Sequence, residues 1–149
     1  MSYVIALHHI VISTKDRQMT IVEEHKRDLY AYIFRIINNK GYSLKRMNGI
    51  GNHIHLLVDI GAVGNVADLV RDIKRASNYW IKHVKSEWFP SFNGWGKEYA
   101  SFSVSPQDMG MIINYIKNQE KHHHIEDYDD EMLRMLKSFG FTPWQNGER

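Results

Sequence analysis

The sequence predicts an α+β fold: a ferredoxin-like, RRM-like βαββαβ sandwich on an antiparallel sheet, followed by further C-terminal helix. Three observations carry this. Strand candidates recur four times, at about 3–13, 42–50, 53–60 and 99–104, the first apolar and β-branched and the third alternating with period two. Two stretches of helical periodicity, about 20–41 and 65–85, separate the first strand from the second and the third from the fourth. Finally, "SPQD" at 105–108 opens another helix, with Ser105 as N-cap, Pro106 at the first helical position and Asp108 near the positive end of the dipole.

Each element has its own warrant. "YVIALHHIVIS" is apolar on both faces and suggests a central strand. The first helix carries Ile21, Val22, His25, Leu29, Ile33, Ile36 and Ile37 at helical spacing and stops at Gly41. The turn-like "NGIGN" joins the second and third strands. The second helix buries a stripe of Val66, Leu69, Val70, Ile73, Ile81 and Val84, with its basic residues largely off that stripe. A Gly- and Trp-rich loop covers 86–98. The helix from Ser105 runs to about 123 around Met109, Ile112, Ile113 and Ile116, and a last short helix covers about 128–138.

Length and composition set bounds. The 149 residues suit a single domain, 1–149, with 43% hydrophobic and 24% charged residues, as in soluble globular proteins. With no cysteine, any metal is held by nitrogen and oxygen. A net charge of +2 does not by itself argue nucleic-acid binding. The N-terminal run reads as strand and not as a signal peptide, and no apolar run is long enough to span a membrane, so the expected location is the cytoplasm.

"GNHIHLLVDI", residues 51–60, holds the first chemical signal. Strand alternation puts Ile54, Leu56, Val58 and Ile60 on one face and His53, His55, Leu57 and Asp59 on the other. Two imidazoles on one face can share an ion or a phosphate; a merely solvated face is the alternative. Since both helices of such a sandwich cover one side, His53 and His55 are expected on an open face. In "MGMIINYIKNQEKHHH", Tyr115 and Gln119 stand i and i+4 on one side of the helix. Alone they read as a packing aromatic and an ordinary amide. Opposite an HxH strand they offer an oxygen nucleophile and a neutral third ligand for a hard cation.

These segments together resemble the single-tyrosine HUH transposases of insertion sequences that move as single-stranded DNA. "HHIVISTKDRQ" resembles the family's opening strand and turn, and "GNHIHLLVDI" its HUH strand, with Ile54 as the bulky apolar residue. "DLVRDIKRASNYWIK" is similar to its basic helix, "WGKEYASFSVS" to its Trp-Gly strand approach, "YIKNQEKHH" to its tyrosine helix and "YDDEMLRMLKSFGF" to its closing segment. Asn52 stands where many relatives have Asp, and Asp16 follows "STK" where an aromatic is common.

The resemblance implies metal-dependent cleavage and strand transfer of single-stranded DNA through a covalent 5′-phosphotyrosine link. It implies Tyr115 as nucleophile, with His53, His55 and Gln119 holding Mg²⁺ or Mn²⁺. Lys74, Arg75 and Lys82 become candidates for DNA backbone contacts, with a solvated helix face as the alternative, and His123 a supporting residue. The implied partners are single-stranded DNA with subterminal hairpins and a second copy of the chain, in a homodimer whose active sites are shared between subunits, in a bacterial or archaeal cell. A non-cleaving single-stranded nucleic-acid-binding relative and a water-using metal phosphodiesterase are the two rival readings.

Overall fold

The computed structural model describes residues 2–141. Four strands, β1 (Leu7–Thr14), β2 (Ser43–Ile50), β3 (His53–Asp59) and β4 (Trp95–Val104), form one antiparallel sheet in the order β2-β3-β1-β4. Helix α1 (Lys26–Asn39) lies between β1 and β2 in the chain, and α2 (Val66–His83) between β3 and β4. This is the ferredoxin-like arrangement. Its two central strands, β1 and β3, are covered on both faces, which is why Leu7 and Val11 of β1 and Leu57 of β3 are apolar on the second face as well.

One face packs on α1 and α2. Ile10, Ile12, Ile54, Leu56 and Val58 of the sheet meet Leu29, Ile33 and Ile37 of α1 and Leu69, Ile73 and Ile81 of α2. The α1 stripe is the expected one from Leu29 onward. Its first turns are not α-helical as expected: a 3-10 turn at Glu23–His25 precedes the α-helix, which begins at Lys26, and Ile21 enters the core from the segment before it. His25 instead stacks on Trp88, ring centroids 4.3 Å apart.

The other face is not open, and here the sequence expectation is corrected. Three further helices cover it: α3 (Met109–Lys117), α4 (Gln119–His122) and α5 (Tyr128–Ser138). Leu7 and Leu57 pack under Ile112, Ile113 and Ile116 of α3, while Val11 and Phe102 pack under Tyr128, Met132 and Met135 of α5. The helix read as continuous to about 123 breaks at Asn118, whose φ/ψ of −98°/23° ends α3 and starts the one-turn α4. Ser105 makes no side-chain cap; a single 3-10 turn at Pro106–Asp108 leads into α3 instead. β4 begins at Trp95, four residues before the expected Tyr99. Among the described residues, no helix is long and apolar enough to cross a membrane.

Candidate active site

The register fixes what stands on the second face. His53 and His55 of β3 pair with Ser13 and Val11 of β1, while His9 pairs with Leu57. By alternation His9, His53 and His55 project together toward the C-terminal helices. All three are buried: His53 and His55 are fully covered and His9 is 2% exposed. The His9 and His55 ring nitrogens, Nε2 and Nδ1, are 2.8 Å apart, so the first imidazole orients the second.

His53 is oriented from the turn before it. Its Nδ1 lies 2.8 Å from Asn52 Oδ1, and the Asn52 amide nitrogen donates to the Arg17 carbonyl at 3.3 Å. The amide oxygen therefore faces the ring, and Nδ1 is the donor. Asn52 thus accepts the imidazole proton as a neutral group. The Thr14 hydroxyl ties the same turn to the end of β1 by donating to the Gln18 and Asn52 carbonyls, at 2.7 and 3.2 Å. Asp16 and Arg17, both with φ of 56°, carry the chain through the tight turn between them.

Helices α3 and α4 bring Tyr115 and Gln119 over this face. The Tyr115 ring lies 5.8 Å from that of His55 and 6.2 Å from that of His9. Gln119 is fully buried, with Oε1 3.2 Å from His53 Nε2. The turn at Asn118 is held from below. Asn48 of β2 donates to the Ile116 and Lys117 carbonyls, each at 3.1 Å, and to Glu120 Oε2, also at 3.1 Å. Those carbonyls are among the ones a helix end leaves without partners. Lys26 Nζ, nearly buried, reaches Glu120 Oε1 at 2.7 Å and completes the clasp.

At the centre stands a residue that sequence reasoning missed, Glu131 of α5. It is fully buried, and its Oε1 lies 3.2 Å from His53 Nε2, 3.2 Å from His55 Nε2 and 3.0 Å from His123 Nε2. Its Oε2 accepts hydrogen bonds from the Tyr115 hydroxyl and, at 3.3 Å, from Gln119 Nε2. Arg134 donates to the Tyr115 oxygen at 3.2 Å from the solvent side. The signal was available. Glu131 falls within the apolar stripe Tyr128, Met132, Met135 of α5, where a carboxylate is not buried without partners. In the acidic run "EDYDDE" it reads as one more exposed charge.

The electrostatics follow from burial and these partners. Burial pushes the imidazolium form of His9 down to about 3 and that of His53 to about 4, with the nearby His55 adding to both. Burial works to raise the Glu131 carboxyl, but the imidazoles of His123, His53 and His55 closing around it outweigh burial and hold it well below the usual range. Burial and the adjoining Glu131 raise the Tyr115 hydroxyl. At neutral pH the site thus holds neutral His9 and His53, an anionic carboxylate and a phenol that keeps its proton. His53, His123 and Glu131 form a buried group whose donor atoms all lie within 4.8 Å of one another, a set that could hold a metal ion.

The basic residues are elsewhere. Lys74, Arg75 and Lys82 belong to α2, on the opposite side of the sheet. Lys74 is no free cation: it donates to the Gly96 carbonyl at 2.8 Å and sits 5.9 Å above the Tyr99 ring, and burial lowers its pKa. It clasps the start of β4. Arg75 and Lys82 are exposed.

A ferredoxin-like sheet thus carries an HxH strand beneath a tyrosine and a glutamine set on either side of a helix break, and the comparison with known families gives the class of DNA-processing protein to which it belongs. The chain belongs to the IS200-like transposase family, whose model matches residues 3–119. Among solved structures it is similar to a candidate transposase from Deinococcus radiodurans R1. That likeness has 26% identity and a TM-score of 0.59, over 80% of this chain and 95% of that one. It shares its fold with a REP-associated tyrosine transposase bound to a REP hairpin, at 12% identity and a TM-score of 0.62, over 83% of this chain and 72% of that one. No curated protein matches. His123 and Glu131 lie beyond the family-matched residues.

Proposed function

We propose that this transposase-family protein cleaves and rejoins single-stranded DNA through a covalent phosphotyrosine link at Tyr115. One observation carries the reading: Tyr115, Gln119, His53 and His55 converge at one point of the sheet, within one chain. Their donor set, two imidazoles and an amide oxygen, suits a divalent cation such as Mn²⁺ or Mg²⁺ with positions left for phosphate oxygens. Bound there, the cation would act as a Lewis acid on the scissile phosphate.

The chain's own groups do the rest. Asn52 and His9 orient the two imidazoles, and Gln119 is turned by its hydrogen bond to Glu131. The Tyr115 proton leaves toward Glu131 Oε2 as the phenolic oxygen bonds to phosphorus. The bond from phosphorus to the 3′ oxygen breaks with its electron pair on that oxygen, which takes a proton from water and departs as a 3′ hydroxyl. Arg134, 3.2 Å from the Tyr115 oxygen, steadies negative charge developing there.

The neighbour bound to a REP hairpin supports a folded DNA hairpin as the partner. Exposed Arg75 and Lys82 remain proposed contacts to the DNA backbone, and a homodimer remains the proposed assembly. Because one chain already supplies Tyr115 and both histidines, such a dimer would hold two complete sites instead of two shared ones.

Incubation with a single-stranded oligonucleotide carrying a hairpin, then denaturing electrophoresis and mass spectrometry, tests the reading. The expected result is a covalent adduct mapped to Tyr115 and absent from Tyr115→Phe. Binding without cutting would favour a structural nucleic-acid binder. Cutting by Tyr115→Phe would favour water as the nucleophile.

A further inference from the structure

We propose that Glu131, with His123 beside it, is an anionic ligand of the metal centre, and that the same carboxylate holds the Tyr115 hydroxyl, tying cation and nucleophile through one side chain. This rests on the metal-dependent reading above but adds two ligands from outside the family-matched residues.

The first argument concerns lone pairs. His53 commits its Nδ1 proton to Asn52, so in the neutral ring Nε2 carries a lone pair. That lone pair faces Glu131 Oε1 and Gln119 Oε1, each 3.2 Å away. The Gln119 amide cannot be turned to relieve this, because its nitrogen is engaged by Glu131 Oε2. Three acceptors thus converge in a buried place. Such an arrangement is unfavourable unless a positive centre lies among them.

The second argument is geometric. Donors about 2.1 Å from a common cation stand roughly 3.0 Å apart along an octahedral edge and roughly 3.4 Å apart along a tetrahedral one. The separations between Glu131 Oε1 and the Nε2 atoms of His53, His55 and His123 are 3.2, 3.2 and 3.0 Å. For His53, His123 and Glu131, whose donor atoms all lie within 4.8 Å of one another, these are the spacings of a coordination shell as much as of a hydrogen-bond hub.

The third argument is charge. Neutral imidazoles and an amide leave a divalent ion uncompensated in a dry site, which is costly. Glu131 is the carboxylate at the centre of these donors, whereas Glu126 beside them is taken by His122 and Arg134. Imidazole ligands such as His53 and His123 also favour Mn²⁺, Co²⁺ or Zn²⁺ over Mg²⁺.

The test is metal binding by the full chain after EDTA treatment and desalting. Calorimetric titration gives the Mn²⁺ affinity, and the visible absorption of added Co²⁺ reports the ligand set. Wild type should bind one Mn²⁺. Glu131→Gln, which keeps size and polarity, should bind it at least about tenfold more weakly and change the Co²⁺ spectrum, and His123→Ala should weaken it less. Folded Glu131→Gln with unchanged affinity and spectrum would overturn the proposal, leaving Glu131 a structural hub. If Glu131→Gln does not fold, Glu131→Asp is the substitute: it withdraws the carboxylate and should alter the Co²⁺ spectrum, and an unaltered spectrum is the overturning result. A wild type that binds no Mn²⁺ would instead remove the metal-dependent reading as a whole.

Discussion

The Tyr115 ring lies 5.8 Å from the His55 ring of the same chain, and both contact one carboxylate, Glu131. The family resemblance in the sequence implies a tyrosine delivered to a second subunit. Within one chain it is already delivered, because the break at Asn118 and the docking of α5 fold the C-terminal helices back over their own sheet.

A mixing experiment follows. Tyr115→Phe chains combined with His53→Ala chains should stay inactive in single-stranded DNA cleavage, since neither chain carries a complete site. Recovery of a substantial part of wild-type activity after verified subunit exchange would mean that α3 crosses between subunits. Tyr115→Phe alone should keep its melting temperature close to wild type, because the ring still packs beside Ile112, Ile113 and Ile116.

Asn52 should matter through His53. Asn52→Ala removes the acceptor of the Nδ1 proton and frees the ring to change tautomer, so Mn²⁺ affinity should fall about 10- to 100-fold while the fold persists. Asn52→Asp restores the acceptor and adds charge, and should bind Mn²⁺ at least as tightly as wild type. Titration calorimetry on both variants decides it; equal affinities for wild type and Asn52→Ala would contradict the orienting role.

How much of this was legible in the sequence depends on how local each signal is. The HxH strand could be read because strand alternation is set by the backbone, and Tyr115 with Gln119 because four residues make about one helical turn. The cover over the histidines was missed, although Leu7, Val11, Leu57 and Phe102 sit on that same face and need an apolar partner. Glu131 could not be placed from spacing alone, since it meets His55 across 76 residues only after α5 has docked. Lys74 was read by charge, and only tertiary packing reveals that its ammonium serves the β4 backbone.

Two glycines should behave oppositely. A Cβ on Gly49 would sit 2.1 Å from the His53 carbonyl oxygen and 2.9 Å from Ile54 Cα, so β2 and β3 meet there with no room for a methyl group. Gly49→Ala should lose at least about 1–3 kcal/mol in urea unfolding and weaken Mn²⁺ binding by shifting β3. At Gly110, inside α3, a Cβ meets nothing within 4 Å. Gly110→Ala should be neutral or more stable by up to roughly 1 kcal/mol from helix propensity. A Gly49→Ala protein as stable as wild type would mean that the strand pair yields freely.

The last prediction concerns the clasp of Asn48, Lys26 and Glu120 beneath the Asn118 turn. Asn48→Ala strands the Ile116 and Lys117 carbonyls and should cost about 1–3 kcal/mol. It should also slow cleavage, because Tyr115 and Gln119 are aimed by that turn. Glu120 makes the clasp sensitive to acid. Burial works to raise its carboxyl, but the hydrogen bonds from Lys26 and Asn48 outweigh it and hold the folded-state value below 4.5. A depressed carboxyl contributes stability that is fully present above its unfolded value and is lost as pH falls through the folded one. The melting temperature of wild type should therefore exceed that of Glu120→Gln at pH 7 and pH 5.5, and the gap should close only below about pH 4.5. Because the Glu120 side chain is half exposed, the gap should be small and should shrink in high salt. Thermal melts of the two proteins in EDTA, at those pH values and at pH 3.5, measure it. A gap that persists unchanged at pH 3.5 would mean that the charge of Glu120 does not hold the turn, and that Asn48 alone does.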